Sequence, residues 1–182
     1  MQFVLTLHGE TEWNLKGILQ GHMDMDLHEV GIANAHQKGA ILKRDYGHIV
    51  GMVSSDLIRG IHTGEIINQY LLVPYGIHRG LRECGFGDLE GKTKGEISLA
   101  FEWSYPHLSY DYRYLGGESY DEVVRRQREV LDGLAARYNA TDIFLVVGHG
   151  ASINSLLHFL GMPNLPMKRH EIRVMDYPCV GC

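Results

Sequence analysis

Two histidines occupy matching local settings far apart in the chain. His8 follows the apolar run Phe3–Leu7 and precedes Gly9, and His149 follows the apolar run Ile143–Val147 between Gly148 and Gly150. One histidine beside a glycine is often a turn residue bonded to backbone. Two of them, separated by most of the chain, are harder to explain as core side chains. As a nucleophile, His8 must be neutral at the attacking nitrogen, so its other ring nitrogen must donate a proton, usually to a backbone carbonyl. Gly9 lets the backbone approach an anion closely, and Asn14 adds a neutral amide donor a few residues on. Arg59, within Ser54–Thr63, supplies a planar, permanently charged fork that matches phosphate oxygens. Glu83, within Leu81–Gly91, is a carboxyl group that could protonate a leaving oxygen and activate water, with Glu10 and Glu90 as rival acids.

The run Leu7-His8-Gly9-Glu10-Thr11-Glu12-Trp13-Asn14 resembles the opening signature of the histidine phosphatase superfamily, the phosphoglycerate-mutase-like enzymes. Ser54-Ser55-Asp56-Leu57-Ile58-Arg59 is similar to that family's serine-aspartate-leucine-x-arginine segment. Leu81–Gly91 is similar to the segment that carries its proton donor, and Gly148-His149-Gly150 to its second histidine. The segments occur in family order over nearly the full chain. The resemblance implies that His8 becomes transiently phosphorylated, that Glu83 is the proton donor, and that Arg59 and His149 bind the phosphoryl group. Asn14, Gly9, Gln20, Gly21 and Gly150 are expected to line the substrate site. The family signature reads arginine-histidine-glycine, and here Leu7 stands at the arginine. Loss of one charged donor from a phosphate pocket costs roughly a hundred- to a thousandfold in rate. Arg79, Arg82 or Arg169 could enter the pocket as a substitute. The expected activity is a metal-independent phosphomonoesterase weakened at Leu7. The alternatives are an inactive phosphatase-like protein that binds a phosphorylated ligand, and a mutase-type phosphotransferase. Only about 25 residues separate Gly91 from Gly117. That is short beside the insertion that encloses substrate in phosphoglycerate mutases, which favours hydrolysis.

Positioning these residues is the work of alternating elements. Continuous apolar runs at 3–7, 49–53 and 143–147 predict strands buried on both faces, and 171–175 alternates as a less buried strand would. Helical patterns cover about 30–44, 57–71, 120–138 and 152–160. The third is marked by the capping box Ser119-Tyr120-Asp121-Glu122. The order predicts an α/β three-layer sandwich with a mostly parallel central sheet flanked by helices. In such sheets ligands bind beyond the carboxyl ends of the strands. His8, Ser54-Ser55-Asp56 and Gly148-His149-Gly150 would then meet at one edge, with a helix starting near Asp56 and its first-turn amides facing the site.

At 182 residues the chain reads as one domain, 1–182, able to bury roughly 70% of its unfolded surface. A net charge of −5 provides no basic field for nucleic acid, and no apolar run is long enough to span a membrane. The expected location is cytoplasmic. The expected partner is a phosphorylated small molecule or phosphoprotein, with a homodimer left open, and no cofactor or metal is expected. Cys84 reads as inert packing. Cys179-Val180-Gly181-Cys182 fits neither a complete zinc site nor a prenylation tail, and free thiols are expected there.

Overall fold

The computed structural model describes residues 1–100, 110–162 and 166–178, with the side chains of 98–100 left aside. Five strands form one sheet in the order β3-β2-β4-β1-β5, where β1 is Gln2–Leu7, β2 Gly51–Ser54, β3 Tyr75–Ile77, β4 Ile143–Gly148 and β5 Ile172–Asp176. β1, β2, β3 and β4 pair in parallel, and β5 runs antiparallel to β1. This is the mostly parallel sheet flanked by helices that the sequence predicts.

Period-two alternation in β1 sends Phe3, Leu5 and Leu7 to one face and Val4 to the other. The first set joins Val130, Leu131, Val146, Leu156 and Met175 in a core cluster. That cluster is covered by α5 (Tyr120–Ala135) and α6 (Gly150–Phe159). Val4 joins Leu42, Met52, Ile67, Leu145 and Val147 under α2 (Glu29–Asp45) and α3 (Ile58–Leu71). Both faces are therefore apolar, which is why the strands read as continuous runs. Two short helices, α1 (Glu12–Leu15) and α4 (Lys94–Ala100), border the carboxyl edge of the sheet. Among the described residues no helix is long and apolar enough to cross a membrane.

Several boundaries differ from expectation. β2 starts at Gly51, because the Ile49 amide closes the turn after α2 on the Tyr46 carbonyl. α5 ends at Ala135, short of Tyr138, and α6 begins at Gly150, directly after His149. α3 begins at Ile58. Asp56 is held by Arg82, and the Ile58 amide donates to Asp24, so that helix turn does not offer its amides to the site. Cys84 is buried as packing, and burial pushes its thiol pKa up. Cys179 and Cys182 lie outside the described residues.

Candidate active site

His8, Asn14, Gln20, Gly21, Arg59, Glu83 and Gly150 line one cavity of about 430 Å³ at the carboxyl edge of the sheet. His149 stands against it, its ring centroid 5.0 Å from that of His8. The site is thus assembled from the ends of β1 and β4, the first turn of α3 and the loop after β3.

His8 is buried, and its Nδ1 lies 2.6 Å from the Gly9 carbonyl oxygen. A carbonyl only accepts, so Nδ1 carries the hydrogen and Nε2 presents a bare lone pair. Burial, followed by the Arg59 and Arg169 charges, holds the His8 pKa well below the ordinary histidine value. The ring is therefore neutral at physiological pH. His149 occupies the position just before α6 without a side-chain capping bond, and its pKa too is pushed down, first by burial and then by Arg59. Its Nε2 is 2.6 Å from the Ser55 hydroxyl. Its Nδ1 is buried without a hydrogen-bond partner among the described residues, as is Nε of Arg59. Buried polar atoms are normally satisfied, so two orphans at one cavity mark a place for a polar ligand.

The terminal nitrogens of Arg59 donate to the Met23 and Gly21 carbonyls at 2.8 and 2.7 Å. Burial lowers its pKa to about 10, which still leaves it charged. Glu83 sits on the N-terminus of α6. Its Oε1 accepts from the Ser152 and Cys84 amides, and Oε2 accepts from the Ala151 amide at 3.2 Å. Oε2, with a single longer bond, is the less committed oxygen. Asn14 Oδ1 accepts from the Thr11 amide, which turns its NH2 group the other way. The hydroxyl of Thr11 lies 3.0 Å from both Asn14 Oδ1 and Gln20 Oε1, tying those two amides together.

Residues 3–180 match the profile described as the histidine phosphatase superfamily, branch 1. The chain belongs to the histidine phosphatase superfamily. A 2,3-bisphosphoglycerate-dependent phosphoglycerate mutase of Methylobacterium radiotolerans is 34% identical over 165 residues, covering 86% of this chain and 77% of that protein. An uncharacterized phosphatase, PhoE, of Bacillus subtilis is 35% identical over 155 residues, covering 84% and 74%. Among solved structures, a mycobacterial glucosyl-3-phosphoglycerate phosphatase complexed with VO3 superposes with a TM-score of 0.83 at 25% identity, covering 95% of this chain and 91% of that one. Bacillus stearothermophilus YhfR superposes with a TM-score of 0.81 at 30% identity, covering 95% and 89%.

In this histidine phosphatase superfamily chain, Gly9 departs from its expected role. It does not line the cavity, and its amide donates to Thr63 Oγ1 at 2.9 Å. A Cβ there would meet the Gly31 carbonyl oxygen at 2.5 Å, so the glycine is required by the close approach of α2. The rival acids are otherwise engaged. Glu90 Oε1 accepts from the His22 and Phe86 amides, and Glu10 accepts from Asn34. Of the candidate substitutes for the signature arginine, Arg82 is held bidentately by Asp56, Arg79 does not reach the cavity, and Arg169 lines it.

Sequence reasoning missed the supports. Arg126 of α5 donates to the carbonyls of Gly80, Arg82 and Glu83 and pairs with Glu118, clamping the loop that bears Glu83. Lys38 of α2 is buried, and its Nζ donates to the Leu7 carbonyl at 2.5 Å. The β1–β5 pairing stops at Thr6–Ile172, so β5 leaves that carbonyl unpaired, and Lys38 supplies its donor. In the sequence both residues sit in helical stretches where a cation reads as solvated surface. Only the three-dimensional path of the neighbouring backbone reveals them.

Proposed function

We propose that the protein is a phosphomonoesterase acting through a phosphohistidine on His8. The observation that carries this reading is the Nδ1 bond of His8 to the Gly9 carbonyl, which leaves a neutral Nε2 exposed to a cavity lined by cations and a carboxyl group. Nε2 attacks phosphorus, the ester P–O bond breaks, and Glu83 delivers a proton to the departing oxygen. Water then attacks the phosphohistidine while Glu83, now a carboxylate, takes its proton. The P–N bond breaks and phosphate leaves.

Charge on the phosphoryl oxygens is met by side chains: the orphaned Nε of Arg59, the Asn14 amide and His149. If the Ser55 hydroxyl donates to His149 Nε2, Nδ1 carries the hydrogen that reaches the phosphoryl group. No step calls for a metal, because these donors supply the electrostatic stabilisation.

The purified protein is expected to hydrolyse an activated aryl phosphate and, on rapid quench, to carry acid-labile label on His8. Turnover no greater than that of His8→Ala overturns the enzyme reading and leaves phospholigand binding. A second reading, transfer between hydroxyls of a phosphorylated sugar acid, draws support from relatives named as phosphoglycerate mutases. The stretch of about 25 residues between Gly91 and Gly117 argues for hydrolysis. Free phosphate released without isomerised product separates the two.

A further inference from the structure

The cavity has lost the cation that its family places directly before the nucleophile. Leu7 is 4% exposed and packed in the core cluster beneath α5 and α6, so its apolar side chain offers a phosphoryl oxygen no donor. A phosphate ester arrives with up to two negative charges. Among the described residues, Arg59 is the fully buried cation lining the cavity, and its two terminal nitrogens already serve backbone carbonyls.

We infer that Arg169 replaces the signature arginine and binds the transferring phosphoryl group together with Arg59. The inference rests on the phosphohydrolase reading above and deepens it by naming a residue outside the family's motif. Arg169 lines the same cavity as His8, Arg59, Asn14 and Glu83, and it is close enough for its charge to act on His8, Arg59 and Lys38.

Topology explains how a residue so late in the chain arrives there. Parallel strands deliver their following loops to the carboxyl edge, whereas an antiparallel strand delivers the residues that precede it. β5 is antiparallel to β1 and starts opposite Thr6, so the turn before Ile172 stands beside the end of β1. That turn is built. The Glu171 amide donates to the Lys168 carbonyl at 3.0 Å, and the Lys168 amide donates back to the Glu171 carboxylate, which places Arg169 at the first of the two turn-tip positions. The turn is tied down on both sides. The Thr6 hydroxyl donates to the Glu171 carbonyl, and the Met167 amide donates to Asn154 of α6. Arg173 is drawn off by Glu171 and does not compete. Lys94 also borders the cavity, but it is exposed on the rim and belongs to the approach path rather than to the reacting group.

Four proteins test this: the parent, Arg169→Met, Leu7→Arg and the double variant. kcat/KM for an aryl phosphate and the Kd of orthovanadate, a mimic of pentacoordinate phosphorus, are measured on each. Arg169→Met is expected to lose roughly a hundredfold in kcat/KM and at least tenfold in vanadate affinity, with an unchanged melting temperature. Leu7→Arg is expected to recover at least tenfold in the Arg169→Met background and to gain less than tenfold in the parent. A purely structural Arg169 has no reason to be rescued from position 7. Arg169→Met within threefold of the parent on both readouts overturns the inference, as does an equal gain from Leu7→Arg in both backgrounds. Should Leu7→Arg fail to fold, guanidinium ion added to Arg169→Ala takes its place. Restored rate supports the assignment, and no restoration overturns it. A parent without turnover defeats the phosphatase reading alone, since a drop in vanadate affinity in Arg169→Met still upholds Arg169.

Discussion

Replacing Lys38 by methionine separates two opposing effects at the floor of the site. Burial lowers the Lys38 pKa from 10.5 to about 8. At about 1.4 kcal/mol per unit, the protonated ammonium costs the folded state about 3 kcal/mol near pH 7, where folded and unfolded chains both carry the proton. Against this stands the bond to the Leu7 carbonyl, whose loss leaves a buried acceptor unsatisfied at about 1–3 kcal/mol. The two nearly cancel near neutral pH, so Lys38→Met should unfold within about 2 kcal/mol of the parent there. Between pH 8 and 10.5 the unfolded chain holds a proton that the folded chain has released. The parent therefore gains stability relative to the variant as pH rises, and the cost of burial disappears while the bond remains. Urea denaturation of both proteins from pH 7 to 10.5 reads this directly, because all other groups titrate equally in the two and cancel. The stability difference, parent minus variant, should climb by about 3 kcal/mol across that range. A difference that stays flat or falls with pH would refute a buried, charged Lys38.

Other expectations concern the reacting groups. Glu83→Gln should lower kcat by roughly a hundredfold or more for alkyl phosphates and much less for aryl phosphates with good leaving groups, because only the former need a proton donor; steady-state assays on both substrate types check this. His8, with its pKa held well below 6.5, should stay neutral and active down to moderately acid pH. Activity is then lost only as pH falls through that lowered value, so the acid limb of kcat/KM should lie below pH 6.5 and move upward in Arg169→Met, where one opposing charge is gone. Gly31→Ala would drive a Cβ into the Glu10 backbone, so melting temperature and kcat should both fall, the latter through displacement of His8. Arg126→Ala should destabilise by about 3 kcal/mol in urea titration, because it strips three carbonyls and the Glu118 carboxylate of their donor.

The sheet was legible in the sequence because β1, β2 and β4 are buried on both faces and so appear as unbroken apolar runs. β5, flanked on one side only, appears as alternation. β3 left no such trace: three residues, Tyr75–Ile77, partly exposed at the sheet edge, are too few to carry a period. His8 and His149 stood out through residue type and glycine neighbours, Arg59 and Glu83 through the resemblance of their segments to the family's, and the fold brings all four to one cavity edge. Arg169 was only one of three cations until the antiparallel direction of β5 singled it out. Gly9 was identified for a phosphate-facing reason, whereas its neighbour is another backbone. That distinction depends on the crossing distance between β1 and α2, which no local pattern encodes.

The clamp formed by Arg126 reaches beyond the acid it steadies. Glu83 is fixed by a helix-borne side chain on one side and by the amides of α6 on the other, whereas Lys94, Ile18 and Phe86 border the cavity without bonding it. Substitutions at such bordering positions can reshape what the pocket admits while proton transfer stays in register. Substrate preference and chemical competence become separable traits under selection, so relatives with the same buried machinery can diverge in what they act upon without passing through an inactive intermediate.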